Sequence, residues 1–417
     1  MPWQLTRVKE ALRIAAPHIT HTPRAVNLPI DAALGKYSAE DVRAVIDVPP
    51  FDRSTVDGYA VRAEDVIGAS PWNPIPLRLV GRVEVGEAPR VGVGRGECVE
   101  VATGAPIPPG ANAVVKFEDS SNRDGLVEVM KSVAEWENVA RRGEDLKAGA
   151  LILRRGDRVR PWHVAALASQ GIRRILAYSP LVSVISTGDE LVEPGDELEP
   201  GKTYSYTKSL VKAWLRENGC DVLDGGIVPD DEFCILESLE RALEMADAAV
   251  ITGGTSVGRR DYTVRAIKKL EGLRLLIHGI AMRPGMPTAL SVVRGKVVLA
   301  VSGLPVAALA ALELIFKPLL GRMVGNRLQP LKLVARLRRK VTGEPGFLDF
   351  VRVRVLRGER GFEAVPIRAR GSGSISSLLE ANGVLLVPED VEGFEKGAAV
   401  EVIMYGEAED LSQARNS

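Results

Sequence analysis

Cysteine and histidine are scarce in this 417-residue chain, which holds three of the first and four of the second. Cys98, Cys220 and Cys234 are odd in number and far apart, so neither a disulfide framework nor a zinc site with paired short spacing is available. A reducing, cytoplasmic setting is the expectation. Among the histidines only His278 falls near a motif, and a structural role is expected for it. No run approaches the roughly 18 apolar residues of a membrane span. The opening Met1-Pro2-Trp3-Gln4-Leu5 passes into a charged amphipathic stretch and lacks the apolar core of a signal peptide. Net charge is absent as well: 54 basic residues balance 54 acidic ones, which leaves no overall field for nucleic acid or an anionic membrane.

What is present is ordinary globular material, 46% hydrophobic and 26% charged, in a chain too long for a single core. Residues 3–15 place Trp3, Val8, Ala11, Leu12 and Ile14 near one helical face, and Leu28, Ala32, Ala33 and Leu34 predict another short helix. From Pro49 to about Asn138, short valine-rich runs broken by Gly and Pro predict a compact β-rich module. Pro161 opens a helix that Gly171 stops. From about Ala177 to Gly325 apolar strands alternate with helices, which predicts a parallel sheet with ligands at the carboxyl ends of its strands. The alternation Val351-Arg352-Val353-Arg354-Val355 marks the last segment, about Leu331 to Tyr405, as a small β-barrel or sandwich.

Two of these strands run straight into polar turns. One ends in Ser186-Thr187-Gly188-Asp189-Glu190, the other in Thr252-Gly253-Gly254-Thr255-Ser256-Val257-Gly258. Glycines let backbone N–H groups approach an anion, and the hydroxyls add donors for a phosphate or oxyanion. Either loop alone reads equally well as a tight strand-to-helix connection without a ligand. The same rim collects Glu190, Asp230 and Asp261, a set suited to magnesium, which takes few protein oxygens and completes its shell with water and phosphate. Asp230 and Asp261 each precede a helix, where capping is an equal reading. Arg283-Pro284-Gly285-Met286-Pro287 is a rigid cationic turn able to hold an oxyanion or to sit on the surface. Two further loops crowd polar groups around glycine: Phe51 to Ala60, and Ala102-Thr103-Gly104-Ala105-Pro106.

The order of these motifs resembles the MoeA-type molybdopterin molybdenumtransferases, a family that includes the E domain of gephyrin. Seven elements carry the likeness over nearly the whole chain: Asp57-Gly58-Tyr59-Ala60, Thr103-Gly104-Ala105-Pro106, Arg142-Gly143-Glu144-Asp145, Ser186 to Glu190, Gly253 to Tyr262, Arg283-Pro284-Gly285 and Ala381-Asn382-Gly383. The resemblance implies a multidomain α/β plus β fold. Its parts are a helical linker domain (1–50 with 139–176), an inserted β-rich domain (51–138), a MoaB/Mog-like three-layer α/β molybdopterin-binding domain (177–327) and a C-terminal β-barrel (328–417). It further implies a homodimer whose cleft joins the α/β domain of one subunit to the inserted domain of the other. The reaction implied is magnesium-dependent insertion of molybdate, or tungstate, into adenylylated molybdopterin, with release of AMP.

Carried over residue by residue, Glu190, Asp230 and Asp261 hold magnesium, while Ser186, Thr187, Gly188, Gly253, Gly254, Thr255 and Ser256 cradle the pterin phosphate. Arg283 offsets developing negative charge, Asp57, Thr103 and Asp145 act from the facing subunit, and Pro284, Pro305, Arg352 and Ser374 complete the pocket. The chain departs from the family at Val301-Ser302-Gly303-Leu304-Pro305-Val306-Ala307, where an amide and a hydroxyl are lost at Leu304 and Ala307. Met286 replaces a common second lysine, and Tyr206 stands where an asparagine is common. Two other readings remain open: adenylyl transfer to molybdopterin, as in the MogA and MoaB proteins that would supply the substrate, and a non-catalytic scaffold or molybdopterin-binding paralogue.

Overall fold

Leu181–Thr187 forms a strand (β1) in which every residue but the first is buried, as a strand covered on both faces must be. In the computed structural model, which describes residues 5–254, 261–359, 361–367 and 371–410, this strand lies within a six-stranded sheet. Its companions in chain order are α1 (Tyr206–Glu217), β2 (Asp221–Val228), α2 (Glu232–Met245), β3 (Ala248–Thr252), α3 (Tyr262–Lys269), β4 (Leu273–His278), β5 (Ala289–Val293), β6 (Lys296–Val301) and α4 (Pro305–Ala311). The spatial order is β2-β1-β3-β6-β5-β4. The pairs β1–β2, β1–β3 and β3–β6 are parallel, whereas β5 and β4 run antiparallel. The sheet is therefore mixed. The sequence predicts the parallel part through its strand-helix alternation; the hairpin Ala289–Val301, closed by Arg294-Gly295, has no helix to announce it.

Helices cover both faces. Ile235 and Leu239 of α2 and Val264 and Ile267 of α3 pack on Ile185 and Ile251. On the opposite face Val211 and Leu215 of α1 and Ala308 of α4 meet Val184 and Val250, and the helix Val8–Ala15 adds Val8, Ala11 and Ala15 to that core. Residues 28–34 are not helical. Ala25–Pro29 is a strand paired with Arg174–Tyr178, which takes Leu28 and Pro29 into extended backbone before the chain turns. The helical run that α4 begins passes through a π segment at Leu312–Phe316 before α5 (Lys317–Val324). Pro318 has no amide hydrogen, and the ladder widens in the turn ahead of it.

The C-terminal strands β7 (Lys332–Leu337), β8 (Leu348–Gly358), β9 (Gly361–Pro366), β10 (Gly383–Val387) and β11 (Ala399–Met404) close a barrel in the order β8-β9-β7-β11-β10, with β10 returning to β8. Val353 and Val355 point into it with Leu337, Leu385 and Val402. Asn382 of the Ala381-Asn382-Gly383 motif is buried and serves this barrel: its amide exchanges bonds with Val355 N at 2.6 Å and Val355 O at 2.9 Å.

All of these elements belong to one compact unit, residues 1–40, 155–160 and 174–417. The other unit, 41–154 and 161–173, carries a separate six-stranded sheet in which Gly58–Val61 lies between Glu97–Val101 and Ala113–Lys116. Its helix Pro161–Ser169 begins at the predicted proline.

An ion-pair cluster anchors the segment between β1 and α1. Lys208, whose side chain is 1% exposed, bonds Glu193 on that segment and Asp224 of β2, and Lys212 also bonds Asp224. Burial alone would raise the Asp224 pKa, but bonds from Lys212, the Gly226 N–H and Lys208 outweigh it and bring it to about 2. The carboxylate thus stabilises the fold above its ordinary value near 3.8, and that contribution disappears as pH falls toward about 2. An Asp224→Asn variant should show a flatter thermal midpoint against pH across this window than the parent chain.

Candidate functional site

The strand order reverses between β1 and β3: β2 follows β1 on one side and β3 lies on the other. Open α/β sheets bind their ligands in the crevice outside the carboxyl ends of the strands at such a point. A cavity of about 300 Å³ occupies it here, walled by residues that follow four parallel strands. Ser186, Thr187 and Glu190 come from the end of β1, Asp230 follows β2, Thr252, Gly253 and Gly254 end β3, and Gly303 and Leu304 follow β6.

Glycine is required at the β3 turn. Gly253 has φ +99° and Gly254 φ +61°, and a Cβ on Gly253 would lie 2.3 Å from the Thr187 carbonyl oxygen. A Cβ on Gly254 would lie 2.2 Å from Thr263 Oγ1, whose hydroxyl donates to Gly253 O at 3.2 Å. The floor is a buried row of hydroxyls, with Ser186 Oγ 2.9 Å from Ser205 Oγ and 2.7 Å from Thr252 Oγ1. Thr187 Oγ1 donates to Asp230 Oδ1 at 2.7 Å and so aims the Asp230 carboxylate, while Asp189 Oδ1 accepts the Asp230 N–H at 3.2 Å and fixes its backbone.

The remaining wall is five consecutive hydroxyl-bearing residues, Thr203-Tyr204-Ser205-Tyr206-Thr207, leading into α1. Motif reading singled out only Tyr206 among them. The run itself, five hydroxyls in a row ahead of an amphipathic helix, is the signal that would have found the others.

Asp261 is placed differently. It does not line the cavity; its Oδ1 caps α3 through Val264 N at 3.3 Å, and Oδ2 lies 3.6 Å from His278 Nε2. Burial raises the Asp261 pKa and lowers that of His278. Among the described residues no group of three or more His, Cys, Asp or Glu is arranged to hold a metal ion. Glu190 and Asp230 are the acids that face the cavity. Thr255 and Ser256 lie outside the described residues.

Arg283 turns toward the barrel. Its Nε and Nη2 donate to Asp349 Oδ1 and Oδ2 at 2.7 and 3.0 Å, and Nη1 donates to Glu344. Two carboxylates therefore offset its charge, and Met282–Arg283 pairs with the start of β8.

Arg352 is the contrasting cation. Sequence alternation puts it on the outer face of the barrel, and it is there, but Phe350 and Val384 of that face pack into the α/β core and leave Arg352 only 8% exposed. Its Nε and Nη1 are buried and have no hydrogen-bond partner among the described residues, and burial lowers its pKa. It lines a second cavity, of about 440 Å³, with Trp214, Leu309, Glu313, Leu378 and Tyr405. Glu313 is engaged by Trp214 Nε1 at 2.7 Å and Lys317 Nζ at 3.0 Å. The two cavities flank α4, which carries Leu304 at its N-cap and Leu309 further along. Pro305 opens that helix, and Val306 N donates to Ser372 O at 3.1 Å, which ties the loop bearing Ser374 to the same helix.

In the other unit, the Thr103 N–H donates to Asp57 Oδ1 at 2.7 Å, so those two motifs meet. Asp145 is exposed, and neighbouring Arg142 bonds Asp47 and Asp52. Burial pushes the thiols of Cys98 and Cys220 up to about 12, which suits packing and not nucleophilic chemistry.

Three family models match in succession: the MoeA N-terminal region (domains I and II) over residues 6–171, a molybdopterin binding domain over 183–322 and the MoeA C-terminal region (domain IV) over 334–405. A molybdopterin biosynthesis protein of Methanocaldococcus jannaschii is 37% identical over 396 residues, covering 93% of this chain and 94% of that one. A molybdopterin molybdenumtransferase of Staphylococcus epidermidis is 32% identical, with 95% of each chain covered. The crystal structure of a molybdopterin biosynthesis MoeA protein from Pyrococcus horikoshii OT3 superposes with a TM-score of 0.83 at 34% identity, covering 96% of this chain and all of that one. With matches spanning both units and the barrel, the chain belongs to the MoeA family of molybdopterin molybdenumtransferases.

Proposed function

We propose that the chain inserts molybdate into adenylylated molybdopterin and releases AMP. The observation that carries this reading is the cavity at the sheet's switch point, where the Gly253-Gly254 turn, a buried hydroxyl floor and two acids converge. Close backbone approach at the glycines, with hydroxyls around them, suits a phosphate-bearing ligand. The acids suit magnesium: Asp230 keeps Oδ2 available while Thr187 holds Oδ1, and Glu190 is exposed on the same wall. Magnesium is satisfied by one or two carboxylates with water and phosphate completing its shell. Bound there by Glu190 and Asp230, it would neutralise phosphoanhydride charge as AMP departs. Asp261, as the helix cap beside them, would orient the turn.

Molybdate is a dianion, which acids repel. Arg352 is the better source of cationic contact than Arg283, because among the described residues its guanidinium has buried donors left over and no carboxylate bonded to it. Ser374 would add a hydroxyl. Thr187, Asp189 and the Ser186 row act before any chemistry, by fixing the acid and the floor. We further propose a homodimer in which Asp57, Thr103 and Asp145 serve the partner's site.

The test is an assay with adenylylated molybdopterin, molybdate and magnesium, reading AMP and metal-bound product separately. Glu190→Gln and Asp230→Asn should each lower turnover roughly 100-fold, a usual loss when one electrostatic group is removed. Mixed Asp57→Asn and Glu190→Gln protomers should recover part of the activity that neither has alone. AMP release with no metal inserted would eliminate the transferase reading, and a mixture as inactive as its components would eliminate the shared site.

A further inference from the structure

Of the four aromatic or aliphatic side chains that line the switch-point cavity, Leu191 and Tyr204 are half-buried and two others are exposed at its mouth. Tyr206, the first residue of α1, is 36% exposed, and Leu304, at the N-cap of α4, is 43% exposed. Both line the cavity. They are held beside one another: Thr207 Oγ1 donates to Gly303 O at 2.6 Å, so each is one residue from that bond on its own chain segment. Behind them the cavity is polar, with Ser186, Ser205 and Thr252 bonded in a row.

Large apolar groups left in water beside a polar pocket have contact area to offer a ligand, and the hydroxyls have only edges to offer. An aromatic ring and a branched aliphatic group at the mouth, with hydrogen-bonding groups at the floor, match a planar heterocycle. Its faces are apolar, while its rim carries donors and acceptors.

Resting on the functional reading above, we propose that Tyr206 and Leu304 form an apolar slot that takes the planar nitrogen heterocycle of the substrate. The ring lies against the tyrosine face and the leucine methyls, and its polar edge points to the hydroxyl floor. In this chain the slot sets affinity and selectivity by surface contact, at the two positions where the amide groups common in the family are missing. Two rings of this chemistry exist on the proposed substrate, the pterin and the adenine, and the slot's chemistry is shared by both.

Binding of a free oxidised pterin and of AMP, measured by titration calorimetry on the full chain, tests the slot and identifies the ring. Tyr206→Ala and Leu304→Ala should each weaken one of the two ligands at least tenfold. Tyr206→Phe should bind like the parent, because the ring face and not the hydroxyl makes the contact. The KM for the adenylylated substrate should rise in step with the lost affinity. Loss for pterin assigns the pterin end, and loss for AMP assigns the nucleotide end; either supports the slot. Undiminished binding of both ligands by both alanine variants would overturn the slot alone, as would a Tyr206→Phe loss equal to that of Tyr206→Ala. A parent chain that holds neither ligand would overturn the functional reading together with the slot. Thermal midpoints close to the parent's keep misfolding from imitating either result.

Discussion

Replacing Arg352 by leucine should abolish molybdate-dependent turnover while leaving the chain at least as stable as it was. The expectation rests on an imbalance. Among the described residues Nε and Nη1 have no partner, and only 8% of the residue is exposed. An unpaired buried charge is costly, and apolar replacements of buried ionic groups are often neutral or stabilising by about 1–4 kcal/mol. A residue retained for stability would give the opposite sign. The measurements are the thermal midpoint, expected to hold or rise, and molybdate binding at neutral pH, expected to fall by about 100-fold, the equivalent of roughly 2.7 kcal/mol. A fall in both midpoint and activity would mean that the guanidinium supports the fold through contacts made by the rest of the side chain, and the oxyanion role would have to pass to another cation.

Gly253→Ala should act in the opposite way, through the backbone. A methyl group there would meet the Thr187 carbonyl oxygen at 2.3 Å, and the φ of +99° is one that side chains rarely adopt. Neither neighbour can yield easily, because Thr187 closes β1 and Gly253 N is bonded to Val301 O of β6 at 3.0 Å. Strain of this kind costs on the order of 1–3 kcal/mol at one position before any clash is counted. The expected result is a loss of about 2–4 kcal/mol in chemical denaturation, drawn from the usual range for strained backbone and overpacking, together with loss of pterin or nucleotide binding. Ala at Gly195 is a useful contrast: its φ is also positive, +106°, but nothing lies within 4 Å of the added carbon, so strain without collision should cost less.

The chemistry-bearing turns could be read from the chain because buried strands run directly into them. The β3 end passes from Ala-Ala-Val-Ile straight to Thr-Gly, the β1 end, apolar but for Ser183, passes from Ile185 through Ser186 to Thr-Gly, and parallel topology then brings them to one rim. Arg352 could not be read that way. Alternation along β8 separates an inner from an outer face, but which part of the outer face another layer covers is decided by residues far away, since Phe350 shares one core with Ala308 and Leu312 among others. The fate of Arg283 was hidden for the same reason, since Asp349 lies 66 positions along the chain. Asp261 illustrates a different limit: a carboxylate before a helix serves equally as a cap or as a ligand, and the 3.3 Å contact of its Oδ1 with Val264 N shows the cap alone. Thr203 to Thr207 reads as a turn unless its hydroxyls are counted, because a polar run between strand and helix has no other mark.

The row formed by Ser205, Ser186 and Thr252 has no fixed polarity, since each oxygen can give or receive along it. Rotating one proton obliges its neighbours to rotate, and the whole line then presents the opposite end to whatever arrives. A ring whose edge changes from N–H to bare nitrogen as it is reduced, oxidised or tautomerised would be met equally well in either form. The pocket could thus hold one heterocycle through a change in its protonation pattern without moving a heavy atom.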